Sequence, residues 1–126
     1  METDRVTLAP LAEDDFAPLR DLAATIWHEH YAGIVPAAQI DFMLGGRFAD
    51  GALREYFGAT DRWLDVLRVG TRRVGYTSSL LPPDEPDALK LGQLYLLAEC
   101  RGRGLGRLML RRAEERASAL GRSRIW

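Results

Sequence analysis

Residues able to do chemistry gather at two places in the chain. The first is "RGRGLGR", residues 101–107, where Gly102, Gly104 and Gly106 are interleaved with Arg101, Arg103 and Arg107. Glycine removes the side chain that would keep a phosphate away from the main chain. Arginine adds positive charge in a fork that matches phosphate oxygens. An apolar run precedes this turn and an amphipathic run follows it, so the glycines fall where a strand gives way to a helix. Such a helix start offers unpaired N–H groups and the positive end of a dipole, both suited to an anion. The second place is "WHEHY", residues 27–31, where His28, Glu29, His30 and Tyr31 could take up or release a proton.

Two familiar phosphate loops do not fit the turn. A P-loop needs Lys and then Ser or Thr after its last glycine, but Arg107 and Leu108 follow Gly106. The dinucleotide fingerprint G-x-G-x-x-G, started at Gly102, would need glycine where Arg107 stands. What remains is Arg101-x-x-Gly104-x-Gly106. In "WHEHY", a His-x-His pair without a nearby third ligand does not make a zinc site, so no metal is expected. Glu29 is the preferred base and Tyr31 the second candidate for a catalytic role. A competing reading makes these residues a polar helix end, with His⁺ favoured by the C-terminal dipole. Gln93 cannot serve as a base. Glu99 reads as a solvated turn residue and Cys100 as a small packing residue.

The elements that must position these groups follow from hydrophobic period. "RVTLAPL" alternates as a first strand. In "EDDFAPLRDLAATIWHEHY", Phe16, Leu19, Leu22, Ala23, Ile26 and Trp27 recur at steps of three and four, which predicts an amphipathic helix capped by Asp14 or Asp15. A second helix starts with Pro36 at its first position, buries Ile40, Met43 and Leu44, and stops at Gly45 and Gly46. "DGALREYFG" is a short further helix. Residues 62–81 form a hairpin turning at "GTRR", and "PPDEPD" is a stiff loop, either a linker or a lid. "ALKLGQLYLL" is apolar enough for a central strand. The last helix buries Leu105, Leu108, Met109, Ala113, Ala117 and Leu120 and stops at Gly121. The fold class is α/β, a mixed sheet of order β-α-α-β-β-β-α-β in one domain over residues 1–126.

"LYLLAECRGRGLGRLML", residues 94–110, resembles motif A of the GNAT superfamily, the acyl-CoA-dependent N-acetyltransferases, with signature [Q/R]-x-x-G-x-[G/A]. The order of elements is also similar to that family along essentially the whole chain, although only motif A is specific. "IWHEHYAGIVPAAQIDFML" is similar to a subgroup of bacterial GNAT proteins. The resemblance implies a fold that binds acetyl-CoA as cosubstrate and transfers its acetyl group by direct attack of a primary amine on a small molecule or peptide. It further implies that Gly102, Arg103, Gly104, Gly106 and Arg107 offer backbone N–H groups to the pyrophosphate. Leu96 and Ala98 would hold the pantetheine arm through their main chain, with an N–H near Leu96 facing the thioester carbonyl. In the family the chain continues through a full fifth strand and an N-x-x-A-x-x-x-Y segment whose tyrosine protonates the leaving thiolate. Here "SRIW" closes the sequence at the start of that strand, so the resemblance implies a fold truncated there, with the central strand's edge open to a second copy in a homodimer. The alternative function is a catalytically incomplete module that binds acyl-CoA or only dimerises.

Composition bounds these readings. The 126 residues suit one domain, and 47% hydrophobic residues suffice for a core. No apolar stretch is long enough to span a membrane, and the charged start "METDRVTLAP" has no leader-like core. A single cysteine, Cys100, excludes an internal disulfide framework and fits a cytoplasmic setting. Net charge is −1, yet residues 101–126 hold eight arginines against two glutamates, while residues 1–100 hold nine basic and sixteen acidic residues. The basic end suits a polyanionic ligand, and the acidic remainder suggests a cationic acceptor such as a polyamine, an aminoglycoside or a protein N-terminus. Few aromatics accompany the arginines and the chain is net acidic, so nucleic acid is not expected as a partner.

Overall fold

The structure, a computed structural model, describes residues 5–126; residues 1–4, part of the charged start read above, lie outside the described residues. Strand β1 (Val6–Pro10) leads through a short 3-10 turn into α1 (Phe16–His30), α2 (Ala37–Arg47) and α3 (Asp50–Arg54). Strands β2 (Arg62–Val69), β3 (Arg72–Leu80) and β4 (Ala88–Leu96) follow, then α4 (Leu105–Ala119) and β5 (Arg124–Ile125). The sheet order is β1-β2-β3-β4-β5. The first three pairings are antiparallel and β4–β5 is parallel. The expected element order and the hairpin therefore stand, and β4 lies inside the sheet.

Helix α1 buries the six apolar residues that its period singles out. With Phe48, Tyr76 and Met109 they join the main core. Helix α4 covers the opposite side of β4, where Ala113 and Ala117 meet Leu89, with Leu91 and Ile125 beside them. Of the six residues expected on its buried face, Leu108 and Leu120 are instead partly exposed. Gly121 ends α4 as expected: Arg122 N–H reaches the Ala117 carbonyl at 2.8 Å and Gly121 N–H that of Ser118 at 3.1 Å.

Four local expectations are corrected. Asp15 does not cap α1 through its side chain. Its carboxylate accepts the Ala12 N–H at 2.8 Å and meets Arg73 at 2.6 Å and Arg68 at 2.7 Å, so it ties the chain entry to the β2–β3 hairpin. Pro36 precedes α2 as its N-cap and is not its first residue. Gly45 and Gly46 do not stop α2, which continues to Arg47 and brings Phe48, 1% exposed, into the core. Burying a phenylalanine is worth about 2–3 kcal/mol. Each helical glycine costs only about 1 kcal/mol relative to alanine, so the extra turn wins. Met43, expected on the buried face of α2, stays partly exposed.

"PPDEPD" is held against the end of α4 rather than free. Arg122 donates to the carbonyls of Glu85, Pro86 and Ala88, and Arg124 pairs with Glu85 at 2.9 Å and Asp87 at 3.1 Å.

One irregularity governs the site. Ser78 pairs with Gln93 but Ser79 pairs with Leu91, leaving Gly92 as an extra residue in β4. A bulge of this kind breaks the strict alternation of side chains. Leu89 and Leu91 face α4, as does Ile125. Past the bulge, Gln93 and Tyr95 turn to the opposite face, where Tyr95 meets Tyr76 and Trp27.

Candidate functional site

The glycine-arginine turn joins β4 to α4. Leu97 N–H donates to the Val74 carbonyl at 2.9 Å, and Cys100 and Arg101 close a 3-10 turn on Leu97 and Ala98. Gly102 and Gly104 then adopt φ of +80° and +78°, a backbone region that side chains disfavour. Gly104 is the N-cap of α4, and no side chain caps that end. The next main-chain donor with a protein acceptor is Leu108, bonded to the Gly104 carbonyl at 3.1 Å. The N–H groups of residues 102–107 therefore have no acceptor among the described residues. A Cβ built on Gly102, Gly104 or Gly106 would meet nothing within 4 Å, so the space above the turn is open. Buried Leu105 anchors the turn from below. The arrangement fits a phosphate or pyrophosphate by donor chemistry and by room.

The eight C-terminal arginines divide into two sets. Arg116 is committed to Asp65, which is 1% exposed, at 2.9 Å, and it also lies 5.1 Å from the centre of the Trp63 ring. Arg122 and Arg124 hold the loop before β4, and Arg112 sits near Glu115 at 3.9 Å. Arg101, Arg103, Arg107 and Arg111 make no ion pair among the described residues. The uncommitted charge thus collects around the open N–H groups. Glu99 is exposed in the turn, as expected, and is also ion-paired. Both its oxygens accept from Arg72 at 3.1 Å, which holds its carboxyl below the usual range, helped by Arg103.

Leu96 lies on the edge of β4. Leu97 and Val74 form a hydrogen-bonded pair, and Leu96 faces Gly75 one position earlier. In an antiparallel ladder these positions alternate, so the Leu96 N–H and C=O point away from β3. On that side β5 pairs only with Ala88 and Leu89 and reaches Leu91 through the Trp126 carbonyl at 2.6 Å. Among the described residues no strand pairs with Gln93–Leu96 there. Ala98 differs: its carbonyl already accepts from Arg101 at 3.2 Å, so only its N–H is open.

Aromatic residues stand on the α1 side of this edge. Trp27 Nε1–H donates to the Tyr76 hydroxyl at 2.8 Å, and burial pushes the Tyr76 phenol well above its ordinary pKa. Tyr31 packs against Trp27 and His30, with ring centroids at 5.7 and 4.7 Å. Tyr95 is 5.4 Å from the Tyr76 ring, and burial, followed by the neighbouring Tyr31 hydroxyl, raises its pKa. Tyr31 is thus brought to the end of β4. Glu29 lies elsewhere: two residues along α1 from both Trp27 and Tyr31, it sits on another face of the helix and is exposed. His28 Nε2 meets Asp41 at 2.8 Å and links α1 to α2. Cys100 is buried and unpaired. Sequence reasoning did not single out Tyr76 and Tyr95, because the bulge at Gly92 determines which face of β4 Tyr95 occupies. The glycine itself, in a run otherwise suited to a strand, was the available signal.

No three His, Cys, Asp or Glu side chains among the described residues are grouped to hold a metal ion, and no helix there is long and apolar enough to cross a membrane.

Solved structures share this fold. PaiA N-acetyltransferase from Thermoplasma acidophilum, in complex with coenzyme A, superposes with a TM-score of 0.82 at 18% identity, over 93% of this chain and 74% of that one. The aminoglycoside N-acetyltransferase AAC(6')-Iy, in complex with CoA, gives a TM-score of 0.69 at 14% identity, over 98% of this chain and 76% of that one. An acetyltransferase from Thermus thermophilus gives 0.59 at 23% identity, over 91% and 71%. At these identities the likeness speaks to the fold alone. No curated protein sequence matches the chain. The sequence model of the Acetyltransferase (GNAT) family matches residues 19–126, from the first helix through the glycine turn to the last strand. With match and fold in agreement, the chain belongs to the acetyltransferase (GNAT) family.

Proposed function

We propose that this protein is an N-acetyltransferase that binds acetyl-CoA and acetylates a primary amine of a small molecule or peptide by direct attack. One observation carries the reading. Among the described residues, the N–H groups of residues 102–107 lack acceptors at the start of α4 and are flanked by Arg101, Arg103 and Arg107, which make no ion pair there. Such a cradle is built for a pyrophosphate. Gly102, Arg103, Gly104, Gly106 and Arg107 bind it through the main chain, and Leu96 and the Ala98 N–H hold the pantetheine arm.

Acetyl-CoA supplies a thioester whose carbonyl carbon the amine nitrogen attacks; the C–N bond forms, the C–S bond breaks, and one amine proton is transferred overall to the thiolate. The chain supplies position and charge. The Leu96 N–H donates to the carbonyl oxygen as negative charge develops there. The phenol of Tyr95, neutral and with its pKa raised further by burial and Tyr31, is the candidate proton donor to the thiolate. Tyr31 orients Tyr95 and is the candidate proton relay from the amine. Glu29, exposed on α1, serves only as a solvent-side acceptor at the end of such a relay.

The test is calorimetric titration with acetyl-CoA, followed by thiol release with a panel of amines. Saturable binding and turnover with at least one amine are expected. Absence of acetyl-CoA binding would remove the reading, whereas binding without turnover for any amine would leave an acyl-CoA-binding module.

A further inference from the structure

The α1–α2 face of the sheet carries a cleft of about 240 Å³ lined by Arg47, Tyr56, Ser78, Lys90, Gly92 and Gln93. Its floor owes its chemistry to the bulge. Without a bulge, with Gly92 in regular alternation, Gln93 would share the face of Leu91 and turn toward α4. With it, Gln93 stands beside Ser78 on the face of Lys90.

Gln93 is 9% exposed. Its Oε1 accepts the Ser78 hydroxyl at 3.2 Å, while its Nε2 is buried with no hydrogen-bond partner among the described residues. A buried donor left unpaired is costly, so such a group invites an acceptor. Among the described residues, the two cations of the cleft also make no ion pair with a carboxylate. Arg47 rests over the Trp27 ring at 5.7 Å and Lys90 over the Trp126 ring at 5.0 Å. Neither Asp nor Glu lines the cleft. Acidic residues of the neighbouring elements are engaged elsewhere: Asp41 with His28, Asp50 with Arg20, Glu55 with Arg62. The acidic excess of residues 1–100 is therefore not collected at this cleft.

Two cations, the Gln93 N–H₂ and the Tyr56 hydroxyl form a set rich in donors. Its complement is a group that only accepts hydrogen bonds and carries negative charge. We infer that this cleft binds a carboxylate of the acceptor, which makes the substrate class an amino acid-like amine rather than a polycation. The inference rests on the acetyl-transfer reading for the word acceptor, although the anion site stands on the cleft alone. Gln93 and Tyr95 lie two residues apart on one face of β4, about 7 Å along the strand. A carboxylate held at Gln93 thus directs the amine of the same molecule toward Tyr95 and Leu96.

The experiment pairs binding with turnover. With CoA present, the full chain is titrated by calorimetry with N-acetylated ω-amino acids and with the matching carboxamides, which differ only in charge at the distal end. The acids are expected to bind at least tenfold more tightly. Arg47→Gln with Lys90→Gln should abolish that preference, while Arg47→Lys should retain part of it. Circular dichroism and CoA titration verify that each variant is folded. Equal binding of acid and carboxamide, or a preference that survives in the double variant, would overturn the inference. In parallel, thiol release is measured with the free ω-amino acids and their carboxamides. A carboxylate preference in binding with no turnover of any amine would defeat the acetyl-transfer reading and leave the anion site standing.

Discussion

Alanine at Gly104 and alanine at Gly106 should move stability in opposite directions, although the two glycines are neighbours in one turn. At Gly104 the backbone holds φ at +78°, and a Cβ there would meet no atom within 4 Å. Crowding is therefore not the penalty; the left-handed backbone is, and it costs an L-residue about 1–2 kcal/mol. Gly106 lies inside the first turn of α4, where φ is helical and the space is equally open. There alanine restricts the unfolded chain and gains about 0.4–1 kcal/mol. For a domain of this size 1 kcal/mol moves the melting temperature by about 4 °C. Gly104→Ala should then melt roughly 4–8 °C lower and Gly106→Ala about 2–4 °C higher. Acetyl-CoA affinity separates them again. If Gly104→Ala relaxes its backbone toward negative φ, the N–H groups of residues 102–105 turn from their common direction. Each charge-assisted hydrogen bond is worth about 1.5–3 kcal/mol, so losing one weakens binding roughly tenfold or more. Gly106→Ala keeps the helical N–H direction and should bind within a few-fold of the parent. Differential scanning calorimetry with an acetyl-CoA titration reads both quantities. A Gly104→Ala protein as stable and as tightly binding as the parent would refute the claim that a left-handed residue sets the cradle.

Three more outcomes follow from the same structure. Burial works to raise the Asp15 carboxyl, but the Ala12 N–H, Arg73 and Arg68 outweigh it and hold its pKa below the usual value. That stability is fully present above the unfolded carboxyl pKa, about 3.9, and is lost as pH falls through the lower folded value. Asp15→Asn should therefore cost about 3 kcal/mol in urea at pH 7, with the gap narrowing below about pH 4; a gap independent of pH would contradict it. Arg116→Met leaves the Asp65 carboxylate buried and unpaired, a loss of about 3–5 kcal/mol by chemical denaturation, and a loss below about 1 kcal/mol would place the pair among surface ion pairs. Tyr95→Phe should lower kcat roughly a hundredfold with acetyl-CoA binding unchanged, and an unaltered kcat would free Tyr95 of any proton role.

The sequence by itself determined the succession of elements and the cradle. Both depend on local chemistry: Phe16, Leu19, Ala23 and Ile26 mark a helix by their spacing, and Gly102 and Gly104 mark a turn because other residues resist positive φ. Local rules misjudged places where a distant partner intervened. Phe48 drew α2 through two glycines because the core rewarded its burial, and Asp15 left its cap for two arginines of the hairpin. The eight C-terminal arginines looked alike in the sequence. Only the packing of α4 against the sheet separated Arg116, bound to buried Asp65, from Arg101, Arg103 and Arg107 at the open turn. The face presented by Gln93 and Tyr95 was likewise hidden, since it depends on where Gly92 drops out of register against β3. Hydrophobic period reports what one segment buries, whereas register and charge pairing are decided between segments. Tertiary structure therefore decided what surrounds the cradle.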